Sequence, residues 1–128
     1  MMKMEVLPLE FVGAIKFGMK RNDVRAIAGT AVEFKKTATS NTLTDDFGYC
    51  HVFYNGHEEC EAVEVFKDTE VYIGGKLIFP TSLKDAKSII EDFKKDGDGL
   101  TSVKMSIGIY APDNEMESII FGGKGYYE

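Results

Sequence analysis

Apolar positions along the chain change their spacing several times, and each change marks an expected element. From Tyr49 to Tyr54 and from Glu59 to Phe66, apolar and polar residues alternate as in half-buried strands, and Asn55-Gly56 between them is a strong hairpin turn signal. Glu70 to Ile73 and Lys76 to Phe79 repeat that logic around Gly74-Gly75. Val103 to Tyr110 and Glu115 to Phe121 flank Ala111-Pro112-Asp113-Asn114, and Lys124 to Tyr127 is a candidate last strand. Two segments switch to helical spacing. Val24, Ile27 and Ala28 recur at i, i+3 and i+4 before Gly29, which predicts a short helix stopped by that glycine. Leu83, Ala86, Ile89, Ile90 and Phe93 form a second stripe, opened by a Ser82/Asp85 variant of the capping box and closed by Lys94-Lys95. Asp96-Gly97-Asp98-Gly99 is expected to break this helix. Ala31 to Lys35 reads as a strand, Lys36 to Thr44 as a Thr/Ser/Asn-rich loop, and Met4 to Phe17 as an extended lead-in broken by Pro8 and Gly13.

These elements predict one α+β domain over residues 1–128, with an antiparallel β-sheet of about six to eight strands packed with two helices. Cys50 to Phe66 aligns without a gap on Ser106 to Gly122 at an offset of 56 residues, matching Tyr54, Cys60 and Glu61 to Tyr110, Met116 and Glu117. An even offset keeps side chains on the same faces. The alignment is consistent with a tandem helix-plus-hairpin repeat, with halves 14–79 and 80–128; two ordinary hairpins sharing a common pattern are the alternative. It places Met105, Ile107, Ile109, Met116 and Ile120 on one wholly apolar face. The matching face of the first copy carries Tyr49, His51, Phe53, Cys60 and Glu64, a less apolar set.

Composition narrows the classes of function. The formal net charge of −6 argues against nucleic acid, whose phosphates call for clustered Lys and Arg. Apolar runs fall short of a membrane span, and the first residues lack a signal core, so a cytoplasmic location is expected. Cys50 and Cys60 differ in parity on the predicted hairpin. They are expected on opposite sheet faces, as buried free thiols and not a disulfide.

No motif names a reaction. Cys50, His51, His57 and Cys60 are close in sequence, but neighbours on a strand point apart and the spacing lacks a C-x-x-C pair, so no metal site is assigned. Asp96-Gly97-Asp98-Gly99 has no later carboxylate to complete a calcium loop. Gly122-Gly123-Lys124-Gly125 has no helix after it to cradle a phosphate. Neither histidine is matched with a serine on a strand-to-helix elbow. No catalytic residue and no cofactor is assigned. The hairpin tips are more informative. Glu58, Glu59 and Glu61 flank one, and Asp113, Glu115 and Glu117 flank the other. If both lie on one rim, they form an acidic edge for a basic protein partner, with Tyr49, Phe53 and Tyr54 as aromatic anchors. Solvated turns over core aromatics are the alternative.

Gly18-Met19, Val24 and Gly29 form a G-M-x4-V-x4-G segment. It resembles the start of helix-plus-sheet domains in the small outer-membrane assembly lipoproteins and, in tandem, in the β-lactamase inhibitor protein fold. There is no lipid-attachment cysteine, secretion signal or inhibitor-type disulfide pattern, so export and β-lactamase binding are not implied. In size, acidity and hairpin-rich make-up the chain is also similar to the small acidic bacterial immunity proteins encoded beside polymorphic toxins. That resemblance implies a non-enzymatic protein-binding domain that neutralises a basic toxin domain. The alternative is a small-molecule-binding or enzymatic domain with a pocket between the sheet and the Leu83–Phe93 helix.

Overall fold

The computed structural model describes residues 2–40, 42–66 and 68–127. Two sheets and two α-helices make up the α+β fold. The small sheet joins β1 (Met2–Leu7), β2 (Phe11–Val12), β3 (Ile15–Lys16), β8 (Thr69–Ile73) and β9 (Lys76–Phe79) in the order β3-β2-β1-β8-β9, with β1 and β8 parallel. The large sheet is antiparallel and contains eight strands. They are β4 (Val32–Lys35), β5 (Leu43–Asp46), β6 (Cys50–Tyr54), β7 (Cys60–Phe66), β10 (Phe93–Asp96), β11 (Gly99–Ser102), β12 (Ile107–Tyr110) and β13 (Ser118–Gly122), in the order β10-β11-β12-β13-β7-β6-β5-β4. Helices α1 (Arg21–Ala28) and α2 (Leu83–Ile89) each precede one four-strand series.

Both helices start near the expected places, and α1 stops at Gly29 as expected. Ser82 Oγ accepts from the Asp85 amide at 3.1 Å, as its capping motif predicts. Gly29 takes a positive φ of 107° after α1. Helix α2 is shorter than its apolar stripe suggests, because Ile90 is already extended and Phe93 enters β10. The Asp96–Gly99 segment is therefore a hairpin turn and not a helix stop, with Gly97 at φ 58°. The lead-in is three short strands of a separate sheet. β5 begins inside the expected 36–44 loop, of which Asn41 lies outside the described residues. Residues 103–106 turn before β12, and β13 starts at Ser118, after a short 3-10 turn at Pro112–Asn114. Residues 124–127 form turns, not a strand.

Pairing registers relate the two four-strand series. Glu33 pairs with Asp45 as Lys95 pairs with Leu100. Asp45 pairs with Val52 as Leu100 pairs with Ile109. Cys50 pairs with Val65 as Ile107 pairs with Phe121. Laid over one another through these pairings, the two series place Cys50, not His51, at the position of Ile107, so the pairings do not follow the gapless 56-residue offset. The wholly apolar face expected for the second series is corrected as well: Ile107 and Ile109 face the core, but Ile120 pairs with Gly108 on the outer face, whereas His51, Phe53 and Glu64 do share the outer face of the first series. The inner face of the first series is Cys50, Val52, Tyr54, Val63 and Val65, all buried.

A bulge between Phe53 and Tyr54 also changes the cysteines. It brings Cys60 opposite Tyr54, so both cysteines lie in one core and not on opposite faces. They are free, and burial pushes both thiols up to about 12. The inner faces of both sheets and both helices share one apolar cluster, from Val6 and Val71 to Val24, Ala86 and Ile119.

Candidate partner-binding face

The outer face of the large sheet is set by alternation opposite this core. Across its first half it presents Phe34, Asp46, His51, Phe53, Glu64 and Phe66. His51 is central. The Phe34 and Phe66 rings stand edge-on to it at 4.8 and 4.6 Å, and Phe53 lies at 6.5 Å. Its Nε2 lies 3.6 Å from Asp46 Oδ2 and its Nδ1 lies 3.5 Å from Glu64 Oε1. Ser118 Oγ donates to the other Glu64 oxygen at 2.8 Å. The serine bonds the carboxylate and not the imidazole, so this chain of groups lacks a base-activated nucleophile. Its geometry suits recognition: aromatic surface with two acceptors at its centre.

The second half of the same face is built differently. Its outer positions on β12 and β13 include Gly108 and Gly122. A Cβ at Gly108 would run into Tyr127 Oη, and one at Gly122 would lie 2.6 Å from Tyr126 Cβ. The C-terminal segment thus folds back over half of the sheet, into space that two glycines leave. Lys36 Nζ reaches Tyr126 Oη at 2.9 Å and also sits 4.4 Å above the Phe53 ring, tying the β4–β5 loop to this strap. Burial raises the Tyr127 hydroxyl above its usual range, with the nearby Tyr126, Glu64 and Asp96 adding to it. Tyr110, at the uncovered end, is 48% exposed.

A buried ionic network holds the first half behind this face. The Asp45 side chain is fully buried. Arg25 donates to it from Nε at 2.9 Å and from Nη2 at 2.6 Å, Arg21 Nη1 donates at 3.0 Å, and Tyr54 Oη donates at 2.8 Å. The Arg21 guanidinium stacks 4.1 Å above the Tyr54 ring and gives a further bond to the Leu43 carbonyl. Burial acts to raise the Asp45 carboxyl, but the bonds from Arg25 and Tyr54 and the charges of Arg25 and Arg21 outweigh it and hold it below the usual range. No buried side-chain nitrogen or oxygen among the described residues lacks a partner.

The tip residues are placed as follows. β7 and β13 run antiparallel side by side, with Glu64 opposite Ile120, so the two hairpin tips point to opposite ends of the sheet. The single acidic rim is therefore corrected: Glu58, Glu59 and Glu61 lie at one end, and Asp113, Glu115 and Glu117 at the other. Glu58 pairs with Arg21, and Glu59 lies 3.5 Å from Lys20, so the start of α1 offsets much of the first tip's charge. The turn spans residues 55–59 and not the two residues of an Asn-Gly hairpin. Asn55 Oδ1 organises it by accepting from the His57 and Glu59 amides. Tyr54 is core, 2% exposed, and Tyr49 packs on the core with its hydroxyl 3.3 Å from the Ala28 carbonyl. Phe53 alone of the three aromatics is on the outer face, beneath Lys36.

Phe34, Asp46, Glu64 and Phe66 were not singled out from the sequence as binding residues. Alternation along β7 puts Glu64 and Phe66 on the face of His51, and cross-strand pairing with β4 and β5 brings Phe34 and Asp46 to it. Among the described residues, no group of three or more His, Cys, Asp or Glu side chains is arranged to hold a metal, and no helix is long and apolar enough to cross a membrane. Compared with family models, curated proteins and solved structures, the chain has no significant match.

Proposed function

We propose that this chain is a non-enzymatic binding protein that holds a basic protein partner against the outer face of its eight-stranded sheet. The observation that carries this reading is the Phe34–His51–Phe66 cluster, bracketed by Asp46 and Glu64 and left uncovered by the core. Aromatic groups supply contact area at low entropic cost, and the two carboxylates favour a cationic group over a neutral or acidic one. A chain charge of −6 favours encounter with the same class of partner. The acidic immunity-type role fits this surface: the partner's own basic active surface would be occluded on docking. We also read the two series as copies of one helix-plus-four-strand unit; the shared order of a helix followed by four antiparallel strands supports this.

The test is binding kinetics with the product of the adjacent reading frame, followed as salt is raised from about 0.05 to about 0.5 M. The association rate is expected to fall steeply with salt and to fall further in Asp46→Lys and Glu64→Lys. Phe66→Ala is expected to act mainly on dissociation. Tight binding indifferent to all three substitutions would move the interface elsewhere on the molecule.

A further inference from the structure

We propose that the second half carries a binding site for a small apolar carboxylic acid, in the cavity between α2 and the β10–β11 and β12–β13 connections. The cavity measures about 420 Å³, within the range of small-ligand pockets. Leu83, Phe93, Leu100 and Ala111 supply its apolar walls, and Lys87 and Lys95 border it. This site is separate from the outer sheet face and does not depend on the partner-binding reading; the comparison with the first half rests on reading the two series as copies.

The first half shows what the cavity lacks. At the matching position there, the helix cation Arg25 is neutralised by the Asp45 carboxylate, and the Tyr54 ring fills the space below Arg21. By register, Leu100 stands where Asp45 stands, and Lys95 where Glu33 stands. Ala111 follows β12 where Tyr54 ends β6, and by position after the helix cap Lys87 matches Arg25 and Leu83 matches Arg21. The second half therefore has a helix cation and a further lysine at these positions, and neither an internal carboxylate nor an internal ring. Neither lysine forms an ion pair among the described residues.

A molecule with a ring or branched alkyl body and one carboxylate restores both missing parts. Its body replaces the Tyr54 ring above Ala111 and Leu100. Its carboxylate meets Lys87 and Lys95, as Asp45 meets Arg25. Asp98 and Asp113 also border the mouth, so a simple or multiply charged anion gains little from the lysines alone. The apolar body is what selects the ligand class.

Phenylacetate is a suitable probe, titrated into the full chain and followed by amide chemical shifts, with phenylacetamide, benzylamine and inorganic phosphate as comparisons. Saturable shifts are expected at residues 83–87, 93–100 and 111, with phenylacetate binding about three- to fivefold more tightly than its amide. Lys87→Gln/Lys95→Gln should erase that preference, and Ala111→Phe should abolish binding by filling the space. Shifts located elsewhere, equal binding of amide and amine, or phosphate binding as well as phenylacetate would each overturn the site. If Ala111→Phe does not fold, the exposed lysine pair decides the matter alone: an unchanged preference for the acid in that double variant also overturns it.

Discussion

The two halves of the large sheet are each a four-strand antiparallel series behind one helix, yet they solve the same packing problem with opposite chemistry. Under α1, two arginines, one aspartate and one tyrosine fill the gap between helix and sheet. Under α2, leucine, phenylalanine and alanine line the gap and leave it partly open. On the other side of the sheet the contrast reverses: the first half presents its own aromatic and acidic side chains, while the second half has glycines covered by the C-terminal tyrosines. A backbone plan thus constrains where side chains point and leaves open which half is filled, covered or free.

The sharpest way to break the comparison is to copy one residue of the second half into the first. Asp45→Leu, which imitates Leu100, removes the buried acceptor shared by two guanidinium groups and leaves the Tyr54 hydroxyl without its partner, while Arg21 keeps Glu58 and the Leu43 carbonyl and Arg25 keeps Glu33. A loss of about 3–5 kcal/mol in urea unfolding is expected. Arg21→Leu/Asp45→Leu copies two positions and should recover part of that loss, because one of the two guanidinium groups goes with the acceptor it shared. If the double variant is no better than the single, the network is not the unit that distinguishes the halves.

Acid unfolding sharpens the same point. The folded Asp45 carboxyl is held below its unfolded value of about 3.8, so its contribution is present in full above that value. It is lost as pH falls through the depressed folded value. Below pH 4 the wild type should lose stability more steeply than Asp45→Asn, whose neutral amide binds no proton there. Parallel acid limbs for the two proteins, followed by tryptophan-free tyrosine fluorescence or circular dichroism, would remove Asp45 from the account.

On the outer face, a methyl group at Gly108 or Gly122 would meet Tyr127 or Tyr126 well inside contact distance. Gly108→Ala and Gly122→Ala should each cost about 1–3 kcal/mol, or displace the strap at less cost. Proteolysis of the C-terminal segment separates these outcomes. Faster cleavage with unchanged core stability means displacement. Unchanged cleavage and unchanged stability would mean the tyrosines do not rest on those glycines.

How far these contrasts could be read beforehand depended on the length of the pattern. The hairpins of β6–β7 and β8–β9 and the capped start of α2 follow from alternation, turn glycines and Ser82, all local signals. β10 was hidden because Phe93 continues the helical stripe of Leu83 and Ile90, and only pairing with β11 makes residues 93–96 a strand. The outer-face cluster was legible in part: alternation puts His51, Phe53 and Glu64 on one face, and only pairing with β4 and β5 adds Phe34 and Asp46. A bulge at Phe53/Tyr54 and unequal turns shift β6 against its apparent copy, and a one-residue slip exchanges the faces. The buried network was silent for another reason: Arg21, Arg25, Asp45 and Tyr54 sit on three different elements, and no spacing along the chain signals their meeting.

The smallest expected effect concerns how the two helices begin. Ser82 caps α2 through the Asp85 amide, whereas Lys20 at the same position of α1 makes no side-chain cap. Ser82→Ala should therefore cost about 1 kcal/mol, a fall of roughly 3–5 °C in melting temperature for a domain of this size. Lys20→Ser offers α1 the cap it lacks, but removes the ion pair to Glu59 at 3.5 Å and a bond from Nζ to the His57 carbonyl at 3.1 Å. Those exposed contacts are worth less than a cap, so a net gain of about 0.5 kcal/mol is expected. A loss on Lys20→Ser comparable to that on Ser82→Ala would show that the first half anchors its helix through the β6–β7 turn, and that the two halves differ at their helix starts as they do beneath them.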